Sequence, residues 1–128
     1  MPVCKSRGFD IYYETHGGGE GLPLLMLSGG PGSCQGWNVL HTPELSQDRV
    51  NVIFDNRGTG QSGDPGGDFT TRDMALDTLA VLDEIGIERA HVLGPFIGGL
   101  AAQELALSYP ERVQSLILMG TFARADAR

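Results

Sequence analysis

The sequence predicts an α/β domain built on a mostly parallel β-sheet with helices on both faces. Three observations support this prediction. Segments with strand character alternate with helical segments along most of the chain, an order that implies right-handed crossovers between parallel strands. Runs that are apolar throughout, such as LLML at residues 24–27, are typical of strands buried on both faces. Glycine-bearing turns follow three of the strands, at the sheet edge where ligand sites of such domains form.

The N-terminal part of the chain predicts an antiparallel hairpin. Residues 3–6 form a short edge strand, and Arg7 and Gly8 form the turn. Residues 9–14 (FDIYYE) form the second strand, because aromatic and branched side chains roughly alternate with polar ones there. The glycine-rich run at residues 17–21 is then a loop that leads to the strand at residues 24–27.

The middle of the chain predicts one weak helix between two strands. Residues 28–33 (SGGPGS) form a glycine-rich turn, and a weaker helical stretch follows from Trp37 to Leu45. Residues 50–54 (VNVIF) form the next strand, because branched apolar residues dominate the run. The loop at residues 55–62 (DNRGTGQS) follows it directly.

Two clearer helices complete the alternation. Thr70 is a predicted N-cap and Gly86 a predicted C-terminal stop, and the apolar stripe between them falls at helical spacing: Met74, Thr78, Val81, Leu82 and Ile85. A strand containing Val92 and Leu93 follows, and then a helix over residues 98–109 that Pro110 ends. Residues 115–119 (SLILM) form the last strand.

Composition argues against several classes of function. The chain of 128 residues carries a net charge of −7, which argues against a nucleic-acid partner. No apolar run reaches the length of a membrane span and the first residues lack a signal-peptide pattern, so we expect a cytoplasmic protein without a membrane partner. Cys4 and Cys34 are widely spaced and suggest neither a disulfide framework nor a zinc site, and we expect no metal or cofactor.

The stretch HVLGPFIGG, residues 91–99, has the layout of a nucleophile elbow, G-x-S-x-G: a strand, a sharp turn and a glycine-opened helix. Phe96 stands at the central position, where a phenyl ring offers no lone pair and no titratable proton. Such a turn requires a positive φ at its centre, which is uncommon for phenylalanine. We therefore expect the turn to relax or the ring to pack inward, and a relaxed turn would displace the Ile97 N–H.

Together these stretches resemble the N-terminal half of the α/β-hydrolase superfamily, over about residues 9–121. SGGPGS resembles the family's oxyanion loop, DNRGTGQS resembles its D-x-R-G-x-G-x-S stretch, and residues 90–121 resemble its elbow, elbow helix and following strand. DNRGTGQS with residues 74–87 is similar to enol-lactonase-like esterases, and GGPG is similar to proline iminopeptidases. The resemblance implies one truncated domain over residues 1–128, a partial α/β-hydrolase fold without the C-terminal half and the cap.

The resemblance also implies a set of site residues. In the family a serine attacks an ester, lactone or amide, a histidine takes its proton, an acid orients the histidine, and two backbone N–H groups hold the oxyanion. Mapped onto this chain, the N–H donors are those of Gly30 and Ile97, and the nucleophile position is Phe96. The remaining candidates for the pocket are Ser28, Gly29, Cys34 and Trp37.

Several residues depart from the family pattern or have ordinary structural explanations. Pro95 stands where the family commonly has histidine or glutamine. Ser28 stands where the family's oxyanion loop commonly begins with histidine. The family's acid and histidine normally follow strands that this chain does not contain. The weak candidates that remain for these two roles are His16, His41, His91 and Asp126. Polar ties within loops explain Asp55, Arg57 and Ser62, and close helix–strand packing explains Gly98 and Gly99. Phe69 either lines a pocket or packs in the core or at its rim.

Three functional readings remain open at this point. The chain is an inactive fragment or decayed copy of a serine hydrolase, a non-catalytic module that binds a small acyl or carbonyl ligand or a partner, or half of an enzyme completed elsewhere. The end at Arg128 leaves the apolar strand between Leu116 and Met119 as an exposed edge. Such edges pair with other chains, so we expect self-association through this strand.

Overall fold

The computed structural model describes residues 2–30 and 32–124. Its elements in chain order are β1 (Val3–Ser6), β2 (Phe9–His16), β3 (Gly21–Met26), α1 (Gly36–Leu45), β4 (Arg49–Phe54), α2 (Thr71–Ile85), β5 (Ala90–Pro95), α3 (Ile97–Ser108) and β6 (Val113–Met119). A short 3-10 turn, Pro110–Arg112, separates α3 from β6. This order confirms the predicted alternation of strands and helices.

The strands form one sheet in the order β1-β2-β4-β3-β5-β6. Strands β1 and β2 make the predicted antiparallel hairpin, and β2 also pairs antiparallel with β4. The remaining four strands are parallel, with Leu25 of β3 opposite Val52 of β4 and Val92 of β5. Because these registers align the carboxyl ends of β3, β4 and β5, the three glycine-bearing turns lie at one edge of the sheet.

Two apolar clusters cover the two faces of the sheet, as expected when successive side chains of a strand point to opposite faces. Helices α2 and α3 pack on one face, where Leu25, Val52 and Val92 contact them. Trp37 of α1 packs on the other face against a smaller cluster that includes Met26. The predicted helices on both faces of the sheet are therefore confirmed.

The ends of the elements follow from local chemistry. Helix α2 begins with a capping box, in which the Thr70 hydroxyl accepts the Asp73 N–H and the Asp73 carboxylate accepts the Thr70 N–H. Gly86 ends the helix in the left-handed conformation, as predicted. Strand β2 runs two residues beyond its predicted end, because Thr15 and His16 pair with β4. Within the described ranges, no helix combines the length and apolar character needed to cross a bilayer.

Strand β6 lies at one edge of the sheet and exposes apolar side chains. Self-association through this strand therefore stays a prediction. Ile117, Leu118 and Met119 are 42–48% exposed, and β5 is the strand that β6 pairs with in the described part of the chain. We predict that the 128-residue chain associates through β6, with a sedimentation coefficient that rises with concentration. Ile117→Lys should return it to a monomer because a charge blunts an edge strand.

Val39→Lys is the matched control for this experiment, because Val39 is an exposed apolar residue on α1 and not on the edge strand. It should leave the association unchanged. A concentration-independent monomer for the unmodified chain would contradict the prediction.

Candidate functional site

The elbow is formed at the sheet edge where β5 ends at Pro95 and α3 begins at Ile97. Phe96 makes the whole turn, with φ 51° and ψ −122°. Its N–H donates to the Met119 carbonyl at 2.9 Å, and its carbonyl accepts the Thr121 hydroxyl at 2.8 Å. The expectation that the turn relaxes is wrong, because these hydrogen bonds hold a backbone whose positive φ costs about 1–3 kcal/mol.

The phenyl ring does not pack inward either, so that part of the expectation is also wrong. Phe96 is 64% exposed, and its ring lies between two glycines, Gly29 and Gly120. A Cβ on Gly29 would come within 3.0 Å of the ring, and one on Gly120 within 2.8 Å. The ring therefore occupies a slot that these two glycines leave open.

The other glycines of the elbow are required by close packing, as the sequence predicted for Gly98 and Gly99. A Cβ on Gly98 would lie 2.7 Å from the Ser28 carbonyl oxygen, and one on Gly99 would lie 2.6 Å from the side chain of Thr121. Both distances are too short for a real side chain. Gly98 thus lets α3 approach the turn that follows β3, and Gly99 lets it approach the segment that follows β6, whatever residue stands at position 96.

A cavity of about 410 Å³, the loop pocket, lies beside the start of α3. Its wall includes Gly30, Arg57, Asp64, Phe69, Met74 and Ile97. Both predicted oxyanion donors, the N–H groups of Gly30 and Ile97, therefore belong to residues that line one cavity. Among the described residues neither N–H has a hydrogen-bond acceptor, as expected for Ile97 in the first turn of a helix.

A second cavity of about 450 Å³, the Trp37 pocket, shares Gly30 with the loop pocket. The predicted pocket residues Ser28, Gly29 and Trp37 line it, together with His41 and Phe96. Sequence analysis did not place His41 at a pocket. The signal was available, since His41 lies four residues after Trp37 on one face of α1, and their rings meet edge to face with centroids 5.0 Å apart.

Cys34 was predicted at the pocket but lies in the core instead. It is fully buried beside Met26 and Ile53, and its N–H donates to the Asp55 carboxylate. Burial, followed by the neighbouring Asp55, raises the pKa of the Cys34 thiol well above its ordinary value. A buried, protonated thiol is not a nucleophile.

The loop after β4 is tied together as its polar residues predicted. The Asp55 carboxylate also accepts the Gln61 N–H at 2.8 Å, and the Ser62 hydroxyl donates to the Asp55 carbonyl at 2.6 Å. Arg57 reaches across to α2 and donates from Nε and Nη2 to the buried carboxylate of Asp77, at 2.7 and 2.9 Å. Asp55 and Ser62 thus make the predicted ties within the loop, whereas Arg57 connects the loop to α2.

Two of the candidate histidines, His16 and His91, have hydrogen-bond partners away from the elbow. His16 Nε2 lies 2.7 Å from the Glu14 carboxylate on β2, and His91 Nδ1 lies 2.7 Å from the Ser115 hydroxyl near the amino end of β5. Asp126 lies outside the described residues. His41, in the Trp37 pocket, is the one histidine that shares a cavity with Phe96 in the described part of the chain.

Glu14 supports the wall of the Trp37 pocket. Its carboxylate accepts hydrogen bonds from Tyr12 on β2 at 2.8 Å and from Asn38 on α1 at 3.2 Å, and Gln35 donates to it as well. Burial acts to raise the pKa of Glu14, but the hydrogen bonds from Tyr12, His16 and the two amides outweigh it, so the pKa lies below its ordinary value. An ionised Glu14 therefore fastens α1, which buries little apolar surface of its own, to the sheet.

The parallel sheet, the glycine loop after β3 and the elbow before α3 together define a hydrolase-type α/β domain. The chain belongs to the α/β-hydrolase fold family, whose model matches residues 23–127. It is 40% identical over 126 residues to a protein of Azorhizobium caulinodans provisionally named carbamate hydrolase RutD, covering 98% of this chain and 46% of the relative.

Solved structures give the same result. A hydrolase from Pseudomonas aeruginosa PA01 matches with a TM-score of 0.88 and 34% identity, over 98% of this chain and 48% of that one. Est816, described as an N-acyl homoserine lactone degrading enzyme, matches with a TM-score of 0.86 and 31% identity, over 94% of this chain and 45% of that one. The chain thus spans about half the length of the relatives it matches, so the fold is partial.

Proposed function

We propose that this chain is a hydrolase-fold domain that binds a small carbonyl compound without cleaving it. The observation that carries the proposal is Phe96 at the centre of an elbow whose backbone is otherwise intact. Acyl transfer in this family needs a nucleophile at that point, and a phenyl ring cannot form an acyl-enzyme. The thiol of Cys34 is buried in the core and protonated, so it does not replace the missing serine.

The binding half of the proposal rests on the two backbone donors. The N–H groups of Gly30 and Ile97 belong to residues that line the loop pocket and have no acceptor among the described residues. The Ile97 N–H is at the positive end of the α3 dipole, which favours an oxygen with partial negative charge. A ligand carbonyl that accepts both N–H groups would gain about 0.5–1.5 kcal/mol from each hydrogen bond.

The relatives support a carbonyl compound as the ligand class. Their names describe a carbamate hydrolase and an N-acyl homoserine lactone degrading enzyme, and both compounds carry a polar carbonyl group. We infer that a longer protein containing this segment would keep the binding side of that chemistry. It would not perform ester, lactone or amide hydrolysis through residue 96.

The proposal predicts that the chain binds methyl 4-oxopentanoate, a small neutral keto ester, and leaves it intact. Titration followed by amide NMR should shift the Gly30 and Ile97 resonances, and the same samples should release methanol no faster than buffer. A serine-directed fluorophosphonate should leave no adduct detectable by mass spectrometry, because no activated serine stands at the elbow.

Two results would overturn the proposal. One is an adduct at Ser28 or Ser33, the serines that line the Trp37 pocket, that disappears when that serine is replaced with alanine. The other is the absence of shifts at Gly30 and Ile97 at saturating keto ester, which would remove the binding function.

A further inference from the structure

We propose that the loop pocket recognises a carboxylate through Arg57, so that its ligand is a small oxo acid. This inference rests on the proposed binding of a carbonyl group at Gly30 and Ile97 and adds a second polar group to the ligand. Arg57 lines the same cavity as those two donors, and its contacts with α2 do not use its whole guanidinium group.

The unused part of Arg57 is its Nη1 nitrogen. The Arg57 side chain is only 10% exposed, and its Nε and Nη2 donate to the two carboxylate oxygens of Asp77. Among the described residues, no acceptor lies within hydrogen-bond distance of Nη1. Nη1 is not among the fully buried polar atoms that lack a partner in the described part of the chain, so it keeps access to solvent or to the cavity that Arg57 lines. The two N–H groups of Nη1 are therefore available to an oxygen ligand in the pocket.

The carboxylates around Arg57 balance its charge and that of Arg7. Asp77 is shared between two guanidinium groups, since Arg7 Nη2 lies 3.3 Å from the same carboxylate that Arg57 contacts. Asp73 is a second partner of Arg7, so the attraction for a ligand carboxylate rests on the unused Nη1 donor of Arg57 and not on a surplus of positive charge. Asp64 also lines the pocket and opposes an anion there. The Asp64 carboxylate is partly engaged, because one of its oxygens accepts the Gly66 N–H at 2.8 Å.

The apolar wall fits the body of such a ligand. Phe69 and Met74 line the cavity next to Arg57, and the Phe69 ring centroid lies 5.5 Å from the guanidinium carbon. The Phe9 ring is also close to that carbon, at 5.0 Å. Two aromatic rings fix the guanidinium and shield it from water, which strengthens its interaction with an anion. A short aliphatic chain would contact Phe69 and Met74, with a carbonyl at one end and a carboxylate at the other.

The test compares 4-oxopentanoate with its methyl ester at neutral pH and low salt, using the complete 128-residue chain and amide NMR titration. The two probes share the ketone and the chain and differ in the charge that Arg57 would bind. We expect the acid to bind at least about tenfold more tightly, with an affinity that falls as salt is added. If the ester shifts Gly30 and Ile97 and the acid binds no more tightly, the carboxylate inference fails alone. If neither compound binds, the proposed function fails with it.

Variants locate the effect. Arg57→Gln should remove the preference for the acid, and Arg72→Gln, a matched loss of one positive charge on an exposed part of α2, should retain it. Because Arg57→Gln also disturbs Asp77 and could unfold the chain, Asp64→Asn is the second variant. It removes the opposing charge from the pocket and should tighten binding of the acid severalfold without changing that of the ester. An equal loss in Arg57→Gln and Arg72→Gln, or no effect of Asp64→Asn, would overturn the inference.

Discussion

Replacing Asp77 with alanine is expected to lower the free energy of unfolding by about 3–5 kcal/mol, a large part of the stability of a domain this size. The Asp77 side chain is 3% exposed and receives four hydrogen bonds. Two come from Arg57, one from Arg7 at 3.3 Å and one from the Ser6 hydroxyl at 2.7 Å. The variant leaves the largely buried Arg57 without its partner, and an unpaired buried charge is what makes such a loss expensive.

Urea denaturation followed by circular dichroism measures this change. Asp83→Ala is the matched control, because Asp83 lies on the same helix and pairs with Arg112, but its side chain is 64% exposed. Exposed ion pairs contribute at most about 1 kcal/mol, so this control should stay close to the parent chain. Equal losses in the two variants would show that the Asp77 network does not hold the loop after β4 to α2.

The fold was largely predictable because its signals are local. Each glycine-bearing turn follows an apolar strand, and parallel strands bring their carboxyl ends to one sheet edge whatever the side chains in between. The capping box at Thr70 and the stop at Gly86 are likewise short-range patterns that the structure reproduces. Such features need only a few neighbouring residues, which a sequence displays directly.

The conformation of Phe96 was not predictable from its neighbours. Intrinsic preference favours a relaxed turn, but the Met119 carbonyl and the Thr121 hydroxyl, both more than 20 residues away, hold the strained one. The prediction that Cys34 lines a pocket was wrong for a related reason. Cys34 follows a glycine-rich loop, but its N–H donates to the carboxylate of Asp55, and this hydrogen bond holds it in the core. Tertiary contacts decided both positions.

Arg57 has a structural role and still keeps one guanidinium nitrogen, Nη1, without a hydrogen bond among the described residues. The sequence predicted that Arg57 ties its own loop together, whereas the structure ties Arg57 to Asp77 on α2. The third guanidinium nitrogen, the aromatic rings and the cavity become apparent only when distant segments are placed together. A sequence motif therefore predicts a residue's contribution to the fold more readily than its contribution to ligand binding.

Gly94→Ala is expected to cost about 3 kcal/mol, at the upper end for overpacking, because the atoms it would meet are mostly backbone. A Cβ at this position would lie 2.6 Å from the Gly98 carbonyl oxygen, 2.8 Å from the Gly99 Cα and 2.9 Å from the Ala102 Cβ. All three belong to α3, so the helix as a whole would have to move away from β5. The Ile97 N–H would move with it.

This variant therefore tests stability and site geometry together. Its unfolding free energy should fall, and the Ile97 resonance should no longer shift with methyl 4-oxopentanoate. Gly36→Ala is the control, because a Cβ there meets nothing within 4 Å and Gly36 opens α1, where alanine is the better helix former. It should match or slightly exceed the stability of the parent chain. Parent-like stability in Gly94→Ala would mean that α3 can move at little cost, and the elbow would then no longer fix the position of the Ile97 donor.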